Sequence, residues 1–206
     1  TNADLRWEWY FDENAGNSVS VAVFYKEIED AIERVVIAAS GTAANARSFQ
    51  NSELAELTGV EVEGRISFAL TESGDSEFFV DINAASIDSE VDTGGGTIGA
   101  MQGQPEYTAN IILGYDDFST DQQLTLLLNQ NGETVADRGI QGAANVVLEP
   151  RLDVQLVYRW DISEALSLRA KIDNLLNEEF EYTQDNRVFQ RYERGTSFQV
   201  GFDWEI

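Results

Sequence analysis

Leu166-Ser167-Leu168-Arg169-Ala170-Lys171-Ile172-Asp173 alternates aliphatic and polar side chains without a break. Successive side chains of an extended strand point to opposite faces, so Leu166, Leu168, Ala170 and Ile172 share one face while Ser167, Arg169, Lys171 and Asp173 share the other. One face is oily and the other is wet. The chain's last segment repeats the pattern, with Phe198, Val200, Phe202, Trp204 and Ile206 against Ser197, Gln199, Gly201, Asp203 and Glu205. Upstream, Leu152, Val154, Leu156, Tyr158 and Trp160 oppose Asp153, Gln155, Val157 and Arg159, and Val60, Val62, Ile66, Phe68 and Leu70 oppose Glu61, Glu63, Arg65, Ser67 and Ala69.

Extending this reading along the chain predicts roughly nine strands, at about 3–12, 18–38, 54–70, 77–91, 105–116, 122–134, 145–160, 165–178 and 189–206. Their connections alternate in length. Short turns are expected at Asp12 to Asn17, Thr71 to Ser76, Asp116 to Asp121 and Asp161 to Glu164, and long links at Ala39 to Glu53, Asp92 to Gln104, Val135 to Ala144 and Glu178 to Val188. Short turns on one edge and long links on the other are the layout of an all-β, antiparallel up-and-down transmembrane β-barrel. The alternative is a soluble or secreted acidic β-sandwich acting as a binding or structural module, whose packed sheets would show the same alternation. A sandwich has no reason to sort its connections by length. With the last strand running toward the short-turn side, Trp7, Trp9, Trp160 and Trp204 all fall near that edge, where an indole suits the lipid headgroup layer. Phe24, Tyr25, Phe180, Tyr182 and Tyr192 are expected to form the opposite girdle.

Composition narrows the chemistry. Among 206 residues there are 13 Lys plus Arg and 37 Asp plus Glu, a formal net charge of −24, so nucleic-acid partners are excluded on electrostatic grounds. Hydrophobic residues reach 43%, too many for a disordered acidic chain. The absence of Cys and His removes thiol nucleophiles, disulfides and the commonest general base and metal ligands, so neither a catalytic residue nor a cofactor or metal site is assigned and the chain is not read as an enzyme. No run approaches the ~20 apolar residues of a membrane-spanning helix.

Each local motif also has a plain reading. Glu61 and Glu63 share a face as paired carboxylates would, but no nucleophile or imidazole accompanies them, and a wetted wall accounts for both. Gly94-Gly95-Gly96 lacks the Lys-Ser/Thr of a phosphate loop and reads as a loop. Asp81, Asp88, Glu90 and Asp92 lack calcium-loop spacing. Arg47, Phe49, Arg138 and Arg187 stand in or beside the long links and are the candidate contacts for an anionic ligand, although solvated loop cations are the plainer account of the three arginines.

Four stretches carry a family resemblance. Leu57-Thr58-Gly59-Val60-Glu61-Val62-Glu63-Gly64 is similar to the G-x-E-x-E-G element in the barrel of TonB-dependent outer-membrane receptors. Trp9-Tyr10 followed by Val23-Phe24-Tyr25-Lys26-Glu27-Ile28-Glu29-Asp30, then Lys171-Ile172-Asp173-Asn174-Leu175-Leu176-Asn177, then Tyr192-Glu193-Arg194-Gly195-Thr196-Ser197-Phe198 continue the match in the family's order. The resemblance covers essentially residues 1–206 and implies a barrel of about 22 strands around a plug. Nine strands cannot close such a barrel, so the chain is expected to be its C-terminal part, the plug and earlier strands lying upstream. The resemblance further implies a location in the outer membrane of a Gram-negative bacterium and uptake of a scarce ligand, foremost a ferric siderophore, with cobalamin, haem or a saccharide as other cargoes. Implied partners are the surrounding lipid, the plug and remaining strands, and TonB.

Overall fold

The computed structural model describes residues 1–12, 16–37, 46–92 and 98–205. Its strands run, in order, β1 (Asn2–Asp12), β2 (Asn17–Glu29), β3 (Ile32–Ile37), β4 (Ala46–Asn51), β5 (Leu54–Ala69), β6 (Ser76–Asp92), β7 (Ile98–Gly99) and β8 (Tyr107–Asp117). They continue as β9 (Gln122–Asn131), β10 (Thr134–Ile140), β11 (Val146–Leu148), β12 (Arg151–Ser163), β13 (Leu166–Asp173), β14 (Glu179–Gln184), β15 (Arg187–Glu193) and β16 (Ser197–Trp204).

Nine of these form one continuous antiparallel meander in the order β1-β2-β5-β6-β8-β9-β12-β13-β16, with the two-residue β7 added beside β6. These nine strands lie in one open sheet instead of dividing between two packed ones, which sets the sandwich alternative aside. It resembles part of a barrel wall whose edges are β1 and β16. The four short turns fall on one edge and the four long links on the other, as expected from the spacing.

Register carries the alternation across the wall. Leu168 lies opposite Trp160 and Phe202, and Ala170 opposite Tyr158 and Val200, so one face is aliphatic and aromatic from strand to strand. On the other face Glu63 of β5 accepts hydrogen bonds from Arg6 on β1, Ser20 on β2 at 3.3 Å and Asn83 on β6 at 3.3 Å. The apolar face has no protein against it, which is why Leu5, Phe198 and Trp204 are exposed and why lipid is its natural neighbour. Trp9, Trp160 and Trp204 lie within three residues of the short-turn ends of their strands, with Trp7 two residues further in.

Aromatic rings fill the gaps that glycines leave on the inner face. A Cβ on Gly59 would lie 2.4 Å from the Phe24 ring, and one on Gly114 would lie 2.0 Å from the Phe79 ring. Phe24 therefore points inward over Gly59, and only Tyr25 of that pair faces out. Adjacent residues cannot share a face of a pleated strand, so the expected girdle is corrected at Phe24.

The long links depart furthest from expectation. They form a second, six-stranded sheet in the order β15-β14-β11-β10-β3-β4. Three predicted long strands are each two strands belonging to different sheets. The 18–38 stretch breaks after β2 where Asp30 takes φ 53°, 145–160 breaks at Pro150, and 189–206 breaks at Gly195 with φ 76°. The expected link at Val135 to Ala144 carries most of β10, and 165–178 ends early because Asn174 and Asn177 both adopt left-handed backbone at φ 52° and 53°. Phe180, Tyr182 and Tyr192 belong to this second sheet and not to a membrane girdle. The Gly94-Gly95-Gly96 loop, parts of the first turn and first long link, and Ile206 lie outside the described residues.

Candidate functional site

The second sheet stands at the long-link end of the wall, and its centre is held by ions. Strands β3 and β10 run parallel, pairing Arg138 with Val35 and Ile140 with Ile37 across links far apart in sequence. This places Glu33 and Arg138 together, each 1% exposed. The Arg138 guanidinium donates through two nitrogens to the two Glu33 carboxylate oxygens, one at 3.0 Å, and also to the Ala100 carbonyl. A Cβ on Gly99 would meet Arg138 Nη1 at 2.8 Å, so glycine there leaves the space the fork occupies. Arg138 is thus a buried structural cation, where the plain reading of its position made it a solvated one. Nothing in its local sequence reveals Glu33, 105 residues away.

Next to it Asp137, also 1% exposed, accepts from Arg34 and from Arg47 at 2.9 Å. Both arginines keep about half of their side chains in solvent. Arg47 also covers the face of Phe189, its guanidinium 5.7 Å from the ring centre. Phe189 lines an open cavity of about 460 Å³ with Gly142, Gln184, Asp185, Arg187 and Val188. Arg187 thus lines the same cavity as the ring that Arg47 covers. Phe49 is 71% exposed on β4 opposite Arg34. Of the four candidate contacts, Arg47, Phe49 and Arg187 present surface, and Arg138 supports it from beneath.

An aromatic column was not evident in the sequence reading. Phe180 and Tyr192 stack with ring centres 4.8 Å apart and planes 4° from parallel, and Tyr182 continues the stack 6.3 Å from Tyr192. Arg151 caps it with its guanidinium 4.2 Å from the Phe180 centre. Burial, and then hydrogen bonding with Tyr192, pushes the Tyr182 phenol up, so it stays neutral and able to donate. The signal for this hairpin was present in Asp185-Asn186, which take φ 51° and 58° between Gln184 and Arg187. Two adjacent left-handed residues make the tight turn that matches strand twist.

Half-solvated guanidinium groups next to stacked rings recognise flat, anionic, π-rich ligands through charge and through the quadrupole of the ring. Among the described residues no group of three or more acids is placed to hold a metal ion. Of the acids weighed for calcium, Asp81 faces the inner side of β6 and Asp88, Glu90 and Asp92 the other.

Residues 1–175 match the family described as TonB dependent receptor-like, beta-barrel. A crystal structure of a double mutant of the ferric enterobactin receptor PfeA from Pseudomonas aeruginosa aligns over 98% of this chain at 21% identity, with a TM-score of 0.62. The same receptor in complex with BCV-L6 aligns over 98% at 20% identity, with a TM-score of 0.60. The chain spans 30% and 31% of the length of those receptor chains. No curated protein matches it.

Proposed function

Because the chain belongs to the TonB-dependent receptor β-barrel family, we propose that it forms one wall and part of the outer mouth of a Gram-negative outer-membrane receptor that imports a ferric siderophore with energy delivered by TonB. The apolar face meets lipid, and the inner polar face meets the plug and water. The links gather into the second sheet at the mouth, where ligand is captured. Transport of this kind moves cargo without making or breaking its covalent bonds, so no catalytic side chain is required of the wall.

The observation that carries the ligand assignment is the half-solvated Arg34, which acts electrostatically on Tyr182 of the ring stack and shares Asp137 with Arg47, which in turn covers Phe189. Catecholate siderophores are anionic and built of flat rings, which fits both the arginines and the rings. The names of the solved neighbours, ferric enterobactin receptors, support the same ligand class.

Binding of ferric enterobactin to the purified full-length receptor, followed by quenching of tryptophan fluorescence, tests the reading. Replacing Arg47 by Ala should weaken binding by about tenfold, equal to ~1.4 kcal/mol, and Tyr182→Ala should act in the same direction. Full-length receptor that binds cobalamin or haem but no ferric catecholate would overturn the siderophore assignment. Native protein that stays in the aqueous phase on detergent partition would overturn the membrane reading.

A further inference from the structure

The inner face of the wall is chemically divided. Toward β1 it is ionic: Arg6 pairs with Glu8 at 2.7 Å and with Glu63, and Arg65 pairs with Asp81 at 3.2 Å. Toward β16 it is ionic again, with Arg159 on Asp161 at 3.0 Å and Lys171 on Asp173 at 2.7 Å. Between them the inner-facing positions of β8 and β9 carry one ionisable side chain, Asp116, beside the short turn.

Asn110, Asn129 and Asn131 occupy the long-link half of that sector, with Ile112, Gly114, Thr125 and Leu127 between them and Asp116, and these carboxamides are satisfied by one another. Asn131 donates to Asn129 at 2.9 Å, Asn129 to Asn110, Asn110 to Asn83 at 3.3 Å, and Asn83 to Glu63 at 3.3 Å. Every donor points the same way along the wall, so the dipoles add and the chain ends on a carboxylate already held by Arg6. Such a surface asks little of whatever lies against it. Separating a packed protein from paired amides strands no ion, whereas separating it from a charged wall does when the two share ion pairs. Glu106 and Glu133 stand just beyond the long-link end of this strip, and along the strip itself an anionic cargo meets no fixed negative charge until Asp116.

We propose that β8 and β9 form the side of the barrel from which the plug separates and past which the cargo moves, while the charged strands on either side hold the plug in place. This rests on the receptor reading above.

The 206 residues contain no Cys, which makes thiol accessibility a direct probe. In the full-length receptor, with any thiol elsewhere changed to Ser, single Cys residues replace Asn110 or Thr125 in the neutral sector and Glu8 or Gln199 in the charged ones. Asn110→Cys breaks the amide chain and Thr125→Cys leaves it intact. A membrane-impermeant maleimide is applied to iron-starved cells with and without a protonophore, and receptor-dependent growth under iron limitation reports that each variant is assembled. Labelling at Asn110→Cys and Thr125→Cys should be about fivefold faster in energised cells, with less than about twofold change at Glu8→Cys and Gln199→Cys, as a shift toward an open state requires. Equal or greater energy dependence at the charged positions overturns the proposal. So does the absence of any response at Asn110 and Thr125 while growth still depends on the receptor. If growth is independent of the receptor and no position responds, the receptor reading falls and this inference falls with it.

Discussion

The nine-strand wall and the six-strand sheet beyond it are built from the same kind of alternating segment, yet they solve opposite problems. The wall leaves its apolar side chains facing outward and gathers its charges inward, where Arg6, Glu63 and Asn83 form an open network. The link sheet buries Val35, Val36 and Val146 and, among them, Glu33, Asp137 and Arg138. A wall that has lipid on one side needs no second layer to cover its aliphatic face. A sheet standing in water must make its own interior, and here that interior includes ions. Alternation thus reports where the medium is apolar in the first case and where the protein is in the second.

The sharpest way to break this contrast is at the buried ion pair. Replacing Arg138 by Met leaves the Glu33 carboxylate buried and unpaired, and should cost about 3 to 5 kcal/mol of link-sheet stability. Limited proteolysis of the folded receptor should then cut within the links while the wall stays intact. The double change Glu33→Met with Arg138→Met should recover most of that loss, and a double variant as labile as the single one would show that the pair itself is what the sheet needs.

A matched test in the wall compares its two faces. Leu168→Arg puts a cation on the lipid side and should cost about 2 to 4 kcal/mol if that position lies near the bilayer midplane. Gln155→Arg, on the inner face, should be tolerated. Equal effects on folding into lipid vesicles, read by denaturant titration, would contradict the facing.

Close packing inside the wall predicts a smaller effect. Gly114→Ala forces its Cβ into the Phe79 ring and should cost about 1 to 3 kcal/mol, whereas Gly201→Ala enters open space and should change little. Adding Phe79→Ala to Gly114→Ala should relieve the clash, which a thermal melt of the three variants would show.

The smallest effect lies between the two sheets, at Glu133. Burial raises its carboxyl pKa first, and the negative charges of Glu106 and Glu149 raise it further. The folded link therefore binds this proton more tightly than the unfolded chain does. Its contribution is fully present below the ordinary Glu value of about 4.3 and is lost as pH rises through the raised value. Protease resistance of the link should fall accordingly with rising pH, and Glu133→Gln should remove that slope.

Strand identity and facing were legible in the sequence because they depend on local order. Alternation through Leu166 to Asp173 and through Ser197 to Trp204 survives intact in the register. The same reading failed at the links because its evidence is local and their pairing is not. Nothing between Val135 and Ala144 announces a parallel neighbour in β3, and nothing near Arg138 announces Glu33. The stretches from 18 to 38 and from 189 to 206 looked like single strands because no proline or long polar run separates their two halves. Their breaks at Asp30 and Gly195 are backbone events that move the chain from one sheet to another. In the link sheet, the exposure of Arg47, Phe49 and Arg187 was legible from residue type and position, while the ring stack of Phe180, Tyr182 and Tyr192 required the hairpin to be seen.

The order of residues by itself determined that this chain is an acidic, all-β meander with one apolar and one wet face, since a period of two leaves a strand no other amphipathic arrangement. Only the tertiary structure decided that the long links join into a sheet, which arginine is buried, and which acid of the Glu61 and Glu63 pair is tied into the wall. Those outcomes depend on distances between residues remote in sequence. Desolvation and hydrogen bonding act through space, and a charge becomes structural or available only when its neighbours are in place.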